Sequence, residues 1–261
     1  MEIQKNDIII IIPVRNVEGM ITETLRLVNE SDINRTSKIL IIDNKSEDRS
    51  VDEIKNFVKE SSSKLDFEIK VNEQNLGYGG SVKKGLEIAI SNKFNWVVIV
   101  HGDNQTDWKS ILNKFTHLIN ENNYDVISTT RFSPDSNISR YSKIRILGNK
   151  FFIIMTKVCT NLKISDPGVA IMAFKTSLIE NFDLETIHDG YMFHPQLNII
   201  IFGSHNRYIE VPMHWQDAKH REPFNLFSYG INLSKFLLKY GFYFKVLKFD
   251  SRKALFRLSQ K

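Results

Sequence analysis

The sequence predicts an α/β protein with an open, mostly parallel sheet flanked by helices. Three observations predict this class. Apolar runs of strand length alternate four times with segments of helical periodicity. Polar residues and glycines collect where the apolar runs end. The chain has 261 residues, 42% of them hydrophobic and 25% charged, which is typical of a globular protein with a sizeable core.

The strands of the alternating part are predicted from short apolar runs, several of them rich in β-branched residues and bounded by turn residues. These runs are Ile8–Ile12, Lys38–Asp43, Asp66–Val71, Asn95–Val100 and Asp125–Thr129. Between them, apolar residues recur every three or four positions, which predicts four helices with one buried face each.

The pattern changes after residue 130. A polar loop at 133–142 precedes a helix whose apolar face runs from Ile144 to Val158. Two more strands are predicted at Val169–Phe174 and Arg207–Val211, and helices resume near Leu226. The economical division is one α/β domain over residues 1–222 and a basic, amphipathic helical appendage over residues 223–261.

Charge separates the appendage from the rest of the chain. The net charge is +5, but Phe224–Lys261 holds eight basic residues and one acid, so the remainder carries 5 − 7 = −2. This distribution argues against a nucleic-acid partner for the whole domain and for a local anionic partner of the tail, such as a membrane surface. The alternative for the tail is an ordinary amphipathic helix packed on the domain.

Composition also bounds the location. Cys159 is the single cysteine, so an internal disulfide framework and a multi-cysteine zinc site are excluded. The start of the sequence does not resemble a signal peptide, and no window reaches the length of a membrane span. We therefore expect a cytoplasmic protein, with peripheral binding to the inner face of a membrane as a further expectation from the tail.

Unusual polar residues follow four of the predicted strands. They lie at Pro13–Asn16, Asp43–Ser46, Asn75–Gly80 and His101–Gln105. Each group alone is explained by turns and helix caps, which favour Asp, Asn and Gly. Together they fall at the carboxyl ends of strands, where open α/β sheets bind ligands, and so they predict a binding site at that edge.

Two of these groups suit a nucleotide. Asp43 can accept hydrogen bonds from a nucleobase or a ribose hydroxyl. Gly77 and Gly79 allow close approach of the backbone to a phosphate before a helix N-terminus, and Lys83 is either a phosphate contact or a solvated lysine. The dinucleotide-binding fingerprint is incomplete, because Val82 stands at the position of its third glycine.

The fourth group suits a hard cation. Asp103 and Gln105 are two residues apart, and both offer oxygen atoms of the kind that Mg²⁺ and Mn²⁺ prefer. His101 is either a nitrogen ligand, if the metal is Mn²⁺, or a histidine beside the site. Asp107 precedes the Trp108 helix and is interpreted as its N-cap.

Five motifs, in this order along the chain, resemble those of the family-2 glycosyltransferases, in particular the dolichol-phosphate mannosyltransferase-like branch. They are P-V-R-N, I-I-D-N-K-S-E-D, N-L-G-Y-G-G-S-V-K-K-G, V-H-G-D-N-Q and S-D-P-G-V-A, and the resemblance covers about residues 7–217. It implies a GT-A fold, which is a Rossmann-like sheet flanked by helices. It also implies transfer of a sugar from a nucleotide-diphosphate-sugar with inversion, assisted by a divalent metal.

The resemblance also implies roles for individual residues. Pro13, Arg15, Glu18 and Asp43 fall where the family holds the nucleotide. Asp103 matches the second aspartate of the family's metal motif, and Gln105 matches the glutamine that follows, whereas His101 replaces the first aspartate.

On the acceptor side, Asp166 matches an aspartate near the reaction centre, which orients or deprotonates the acceptor, and Arg131 matches an arginine before the acceptor loop. Glu210 is interpreted as structural. Arg131, Arg140 and Arg145 can receive an acceptor phosphate, with a solvated helix face as the alternative for the last two. A basic pattern of the family is absent after Glu210, although Lys219, His220 and Arg221 follow nearby.

The acceptor and two rival functions stay open at this point. The acceptor is a polyprenyl phosphate, which is already ionised, or a glycan hydroxyl, which requires a base. A nucleotidyltransferase would need a glycine-rich loop with a basic residue after the first strand, which P-V-R-N-V-E-G lacks. A non-catalytic nucleotide-sugar or lipid-binding module is the alternative if His101 has weakened the metal site.

Overall fold

The computed structural model describes residues 7–33, 37–61, 66–139, 141–203, 207–216 and 225–259. Strands and helices alternate along these residues as the sequence predicts. The strands are β1 (Ile8–Val14), β2 (Ser37–Asp43), β3 (Asp66–Val71), β4 (Trp96–Ile99), β5 (Val126–Thr130), β6 (Asn137–Ser139), β7 (Met172–Lys175), β8 (Tyr208–Pro212) and β9 (His214–Gln216). The helices are α1 (Ile21–Asn29), α2 (Ser50–Glu60), α3 (Gly77–Ser91), α4 (Trp108–Glu121), α5 (Lys143–Thr160), α6 (Phe193–Gly203), α7 (Leu226–Gly241) and α8 (Ser251–Ser259).

Seven strands form one sheet in the order β3-β2-β1-β4-β7-β5-β8. β7 runs antiparallel to its neighbours β4 and β5, and the remaining pairs of this sheet are parallel. β6 and β9 pair in parallel as a separate ribbon. The predicted α/β class with a mostly parallel sheet is therefore confirmed.

The core is built around β1, which is bonded to β2 on one side and β4 on the other. All seven residues of β1 are buried, because a strand covered on both faces requires a continuous apolar run. Pro13 lies inside this strand, opposite Ile42, and not after it as predicted. Proline lacks a backbone donor, and it is tolerated here near the end of the strand.

Helices cover both faces of the sheet. α1, α2 and α4 pack side by side, whereas α3 packs against β1, β2 and α6. Right-handed crossovers account for this division, because the chain moves outward from β1 to β3 and then returns to the other side of β1 at β4. The predicted buried faces hold for α1, where Ile21, Leu25 and Val28 are fully buried.

The C-terminal helices pack onto the domain. α7 lies along α5 and contacts α8, and α8 also contacts α6. A π-helical turn at Phe242–Val246 follows α7. The predicted helix over Ile144–Val158 is present as α5, and the apolar residues predicted to share one face of it point outward. In the described part of the chain, no helix is long and apolar enough to cross a membrane.

Candidate active site

A crevice is expected between the carboxyl ends of β1 and β4, because the strand order reverses at β1. The loop after β4 begins beside β1 without an intervening side chain. A Cβ atom added to Gly102 would lie 2.6 Å from Cγ1 of Val14, so only glycine fits this approach. The polar ends of these strands therefore meet at one edge of the sheet, as the sequence predicts.

Asp43 closes β2 at this edge and is fully buried. Its carboxylate accepts hydrogen bonds from the backbone N–H and the hydroxyl of Ser46, which fix its orientation. Arg15, on the neighbouring loop, lies 3.8 Å from a carboxylate oxygen of Glu47. Pro13 is buried in β1, two residues before Arg15. The structure thus brings Pro13, Arg15 and Asp43 to one end of the β1–β2 pair.

Glu18, unlike these three residues, is paired with an arginine. Its carboxylate accepts hydrogen bonds from Arg49 at 2.5 and 2.7 Å and from the backbone N–H of the same residue at 3.1 Å. These bonds lower the pKa of Glu18 below its ordinary value. The predicted nucleotide contact is therefore engaged in an ion pair at the start of α2, and its role toward a nucleotide stays a prediction.

An asparagine network joins the ends of β2 and β3. The Asn44 side-chain oxygen accepts from the side chain of Asn72 at 3.1 Å and from the backbone N–H of Leu76 at 2.8 Å. Its amide nitrogen donates to Asn75 at 2.7 Å. Asn44 therefore fixes the loop that leads into α3. Sequence reasoning missed this network, because its partners are about 30 residues apart.

The glycine loop is covered by the chain itself. A Cβ at Gly77 or Gly79 would lie 2.5 Å from the carbonyl oxygens of Asp189 and His188, respectively. The Lys83 side chain is 4% exposed, and its ammonium donates to Asp189 at 2.7 Å. In this conformation the two glycines make room for a neighbouring loop, so the nucleotide-binding roles of Gly77, Gly79 and Lys83 stay predictions.

His101, at the end of β4, belongs to a buried hydrogen-bond chain. The hydroxyl of Tyr78 lies 3.1 Å from Nε2 of His101 and 2.6 Å from Nε2 of His194. Burial lowers the pKa of His101 to about 4, holds that of His194 well below its ordinary value, and raises that of Tyr78. All three groups are therefore neutral at pH 7. The phenol has one proton, so it donates to one imidazole and accepts from the other.

Tyr78 and His194 were not among the residues predicted for the site. The signal available was weak: a tyrosine within the glycine loop, and a histidine beside a proline in an apolar stretch. His194 comes to the site from the start of α6, 116 residues after Tyr78. Among the described residues, its Nδ1 atom is buried without a hydrogen-bond partner.

Asp103 and Gln105 follow on the same loop. Burial raises the pKa of Asp103 from its ordinary 3.8 to about 7. Gln105 is 7% exposed, and its backbone oxygen accepts from Gln216 of β9 at 2.9 Å. Asp107 accepts a hydrogen bond from the backbone N–H of Ser110 at 3.2 Å, so its predicted role as the N-cap of α4 is confirmed.

The side chains on this loop offer ligand atoms of the kind that bind a divalent cation, but they are too few to complete its coordination. A partly buried carboxylate and an amide oxygen are suitable for Mg²⁺ or Mn²⁺. His101 is neutral, but its Nε2 atom faces Tyr78, so only Nδ1 is left to face a cation. No group of three His, Cys, Asp or Glu side chains in the described ranges is arranged as a metal site. Asp103 and Gln105 would therefore hold a cation only with further oxygens from a ligand.

Asp166 and Arg131 form a buried ion pair beside the end of β5, which Arg131 directly follows. The guanidinium donates from Nε and Nη2 to the two carboxylate oxygens, both at 2.7 Å, and the backbone N–H of Arg131 adds a third bond. The side chains are 11% and 1% exposed. The aromatic rings of Phe132, Tyr141 and Trp215 surround the guanidinium, with centroids 5.6 to 5.7 Å away.

The remaining predicted residues of the acceptor side are placed as follows. Glu210 accepts from the backbone N–H and hydroxyl of Ser165, at 2.9 and 3.0 Å, which supports the structural role given to it. Arg145 lies 6.0 Å from the ring of Tyr141, at the start of α5. Arg140, Lys219, His220 and Arg221 lie outside the described residues.

Comparison with known proteins agrees with this fold. A family model described as "Glycosyl transferase family 2" matches residues 9–182. Glucosyl-3-phosphoglycerate synthase from Mycobacterium tuberculosis, crystallised with Mn²⁺, UDP and glucosyl-3-phosphoglycerate, is similar with a TM-score of 0.61 at 14% identity, over 90% of this chain and 78% of that chain.

Two further solved structures are similar at low identity. The mannosyltransferase PcManGT from Pyrobaculum calidifontis, in complex with GDP-Man and Mn²⁺, has a TM-score of 0.56 at 15% identity, over 97% of this chain and 69% of that chain. TarS from S. aureus has a TM-score of 0.58 at 14% identity, over 95% and 73%. No curated protein matches the sequence. At these identities the solved structures support the fold alone.

Proposed function

The chain belongs to glycosyl transferase family 2, and from this premise we propose that it is an inverting enzyme that transfers a sugar from a nucleotide-diphosphate-sugar to a polyprenyl phosphate. The single observation that carries the donor half is the position of Asp103, a partly buried carboxylate at the expected ligand crevice. Since the protein is a glycosyltransferase, the nucleotidyltransferase and the non-catalytic module are no longer alternatives.

The donor diphosphate is proposed to lie over the end of β4. Asp103 and Gln105 would hold Mg²⁺ or Mn²⁺ there, and the cation supplies charge neutralisation of the departing diphosphate. The similar structures of glucosyl-3-phosphoglycerate synthase and PcManGT each contain Mn²⁺ with a nucleotide or nucleotide-sugar, which supports this proposal. The nucleotide side is proposed to consist of Pro13, Arg15, Glu18, Asp43, Gly77, Gly79 and Lys83.

The acceptor side supports an acceptor that needs no base. Both carboxylate oxygens of Asp166 are bonded to the Arg131 guanidinium, so this aspartate positions the arginine and is poorly placed to remove a proton. A polyprenyl phosphate is already ionised, whereas a sugar hydroxyl requires deprotonation.

The arginine itself is suited to an acceptor phosphate. A guanidinium has five N–H groups, and three of those on Arg131 are bonded to Asp166 and Tyr141. The other two make no hydrogen bond to the described residues and are proposed to bind the phosphate, together with Arg140 and Arg145. A saccharide hydroxyl acceptor is the less favoured alternative.

A polyprenyl phosphate belongs to a membrane, so the proposal includes work at a membrane surface. The resemblance of the sequence motifs to the dolichol-phosphate mannosyltransferase-like branch supports the same acceptor class. The cytoplasmic location and the membrane-facing tail expected from the sequence remain predictions, as does the division at residue 222.

The test is a panel of nucleotide-sugars with Mg²⁺ or Mn²⁺, with and without a polyprenyl phosphate, read by mass spectrometry. We expect one donor to give a glycosylated polyprenyl phosphate and a nucleoside diphosphate. Transfer to a saccharide with no transfer to the lipid phosphate would reject this acceptor while retaining the family assignment.

Asp103→Ala is the variant for the donor half of the proposal. It should lower turnover to about 1% of the wild-type value or less, because the charge of the leaving group is no longer neutralised. Asp107→Asn is the matched control on the same loop, since asparagine also caps a helix, and it should keep its activity. Full turnover by Asp103→Ala with an unchanged circular dichroism spectrum would remove Asp103 from the site.

A further inference from the structure

The outer face of α5 carries a continuous apolar row. Its members recur at three- and four-residue intervals and are 55–81% exposed; they are Ile144, Leu147, Phe151, Ile154 and Val158. Single exposed apolar residues are ordinary on a protein surface, but a row that spans a whole helix is not. The buried residues of α5 lie on the opposite side and include Thr156 and Thr160.

α7 and the π-helical turn after it carry a second row of the same kind. Its members are 39–78% exposed; they are Phe227, Ile231, Leu238, Phe242 and Val246. The side of α7 opposite this row is buried through Leu233, Phe236 and Leu237. In each helix the row therefore points away from the core.

The two rows belong to one surface, because the helices touch along their length. A Cβ at Gly230 would lie 3.7 Å from the ring of Phe152, and one at Gly241 would lie 3.2 Å from Cβ of Cys159. Small residues of α7 thus allow close packing on α5. We name the ten exposed apolar residues of the two rows the α5–α7 surface.

Charge on these two segments has a single sign. Residues 143–160 and 226–249 contain no aspartate or glutamate and eight basic residues: Lys143, Arg145, Lys150, Lys157, Lys235, Lys239, Lys245 and Lys248. Lys150 is three residues from Leu147 and four from Ile154, so it borders the apolar row, and Lys235 has the same relation to Leu238 and Ile231. Both lysines are exposed.

We propose that the α5–α7 surface docks the protein on an anionic lipid membrane, with the apolar rows entering the interface and the lysines contacting the headgroups. An apolar face bordered by cations and without acids is the pattern that binds such membranes. A second copy of the chain is the competing occupant. It fits less well, because a symmetric contact through this surface would bring two sets of eight positive charges together.

The docked orientation places α5 and α7 between the lipid and the loop that carries Asp166. A cavity of about 30 Å³ lies between α5, α7 and the turn at Pro167 and Gly168, directly after Asp166. The two helices therefore stand over the loop that carries the acceptor-side aspartate. This inference extends the proposed lipid acceptor, but membrane binding can be measured without any transfer reaction. The sequence predicted the membrane contact for the C-terminal tail alone, whereas this proposal assigns it to α5 together with α7.

The test is flotation of the full chain with vesicles of phosphatidylcholine, with or without phosphatidylglycerol. We expect binding to the anionic vesicles and weak binding to the neutral ones. The variant Leu147→Gln/Phe151→Gln/Ile154→Gln should lower vesicle affinity at least about tenfold, since glutamine preserves the helix and removes the apolar contact.

Charge variants supply the second arm of the experiment. Lys150→Gln/Lys157→Gln should weaken binding to anionic vesicles about 25-fold, because each lysine near such a surface contributes roughly fivefold. Lys55→Gln/Lys59→Gln, which removes two exposed lysines from α2, is the matched control and should bind like the wild type. Thermal unfolding of each variant shows whether a loss of binding reflects a loss of fold.

Three results would overturn the proposal. One is a wild-type chain that stays unbound in the presence of anionic vesicles. Another is a folded triple variant that binds as tightly as the wild type. The last is a dimer in light scattering that the triple variant converts to monomer, which would assign the surface to a second copy. Hydrolysis of the nucleotide-sugar donor without vesicles tests the proposed enzyme separately, so the two proposals can fail independently.

Discussion

Replacing Asp103 with asparagine should raise stability and abolish activity. The cause is burial, which raises the pKa of this carboxyl from 3.8 to about 7 in the folded protein. Below about pH 3 the group is mostly protonated in the folded and the unfolded chain, and near pH 4 its effect on stability is still small. Between pH 4 and 7 the unfolded chain loses the proton first, so the free energy of unfolding falls as the pH rises. Above pH 7 the full penalty is present.

The magnitude follows from the size of the shift. A difference of about three pKa units corresponds to about 4 kcal/mol, at roughly 1.4 kcal/mol per unit, and relaxation around the ionised group makes this an upper bound. An asparagine side chain cannot ionise, so Asp103→Asn should match the wild type at pH 4 and exceed it by up to about 4 kcal/mol at pH 8.

Urea unfolding of both proteins at pH 4, 6 and 8 is the assay. The difference in the free energy of unfolding should grow with pH, while turnover of the variant stays below detection. Mn²⁺ with a nucleoside diphosphate should stabilise the wild type at pH 8 much more than the variant, because the substitution removes the charged side chain proposed to bind the cation. A variant no more stable than the wild type at pH 8 would refute the claim that this carboxylate is penalised by burial.

Three further predictions concern the framework of the site. Arg131→Met should lower the free energy of unfolding by about 3–5 kcal/mol, since it leaves the Asp166 carboxylate buried without the guanidinium that neutralises it. Adding Asp166→Asn should restore part of this loss, which a double-mutant cycle measured by urea unfolding would show. Gly79→Ala should cost about 1–3 kcal/mol, because its Cβ would lie 2.5 Å from a backbone oxygen, whereas Gly148→Ala, which meets nothing within 4 Å, should not destabilise the protein in thermal unfolding. Asp125→Asn should cost about 1 kcal/mol at pH 7. The cost should shrink steadily as the pH falls below 4, because hydrogen bonds from Arg207 hold the pKa of Asp125 well below its ordinary value and the folded protein keeps the charge longer than the unfolded chain; acid titration of stability would record this.

The sequence predicts the first half of the fold well, because the strands there are signalled locally. Ile8–Ile12 is an apolar run that can only be buried, and the predicted bounds Asp66–Val71 agree residue for residue with β3. The later strand predicted at Val169 begins instead at Met172, because the Val169 backbone N–H is used in a turn to the carbonyl of Asp166. That turn depends on the buried pair with Arg131, which no local pattern reveals.

The orientation of the apolar face of α5 could not be predicted from the sequence either. Spacing alone identifies which residues of the helix share a face, and the predicted row is indeed one face. Whether that face meets the core or the solvent depends on the neighbours in three dimensions. Here α7 and the core occupy the other side of α5, and the side chains buried there include threonines, so hydropathy gives the wrong direction.

The partners of the predicted site residues were the least predictable feature, because they lie far away in the chain. Lys83 is a residue of the type that contacts phosphates. In the structure, however, its ammonium donates a hydrogen bond to Asp189, 106 residues later. The loop around that aspartate also fills the space that Gly77 and Gly79 leave. A donor phosphate can reach these residues only if the loop at 188–190 moves away from them.

The histidine that replaces the family's first aspartate decides how the cation can bind. His101 is neutral and bonded to Tyr78, so it adds no charge to the site, and Asp103 is the carboxylate proposed to hold the metal. One carboxylate and one amide leave most of the coordination of Mg²⁺ or Mn²⁺ to water and to the donor diphosphate. The cation without nucleotide would also have to overcome the raised pKa of Asp103, which favours the protonated form below pH 7. The metal and the nucleotide-sugar are therefore expected to enter together, each supplying what the other needs: the diphosphate completes the ligand set, and the cation makes the ionised carboxylate favourable.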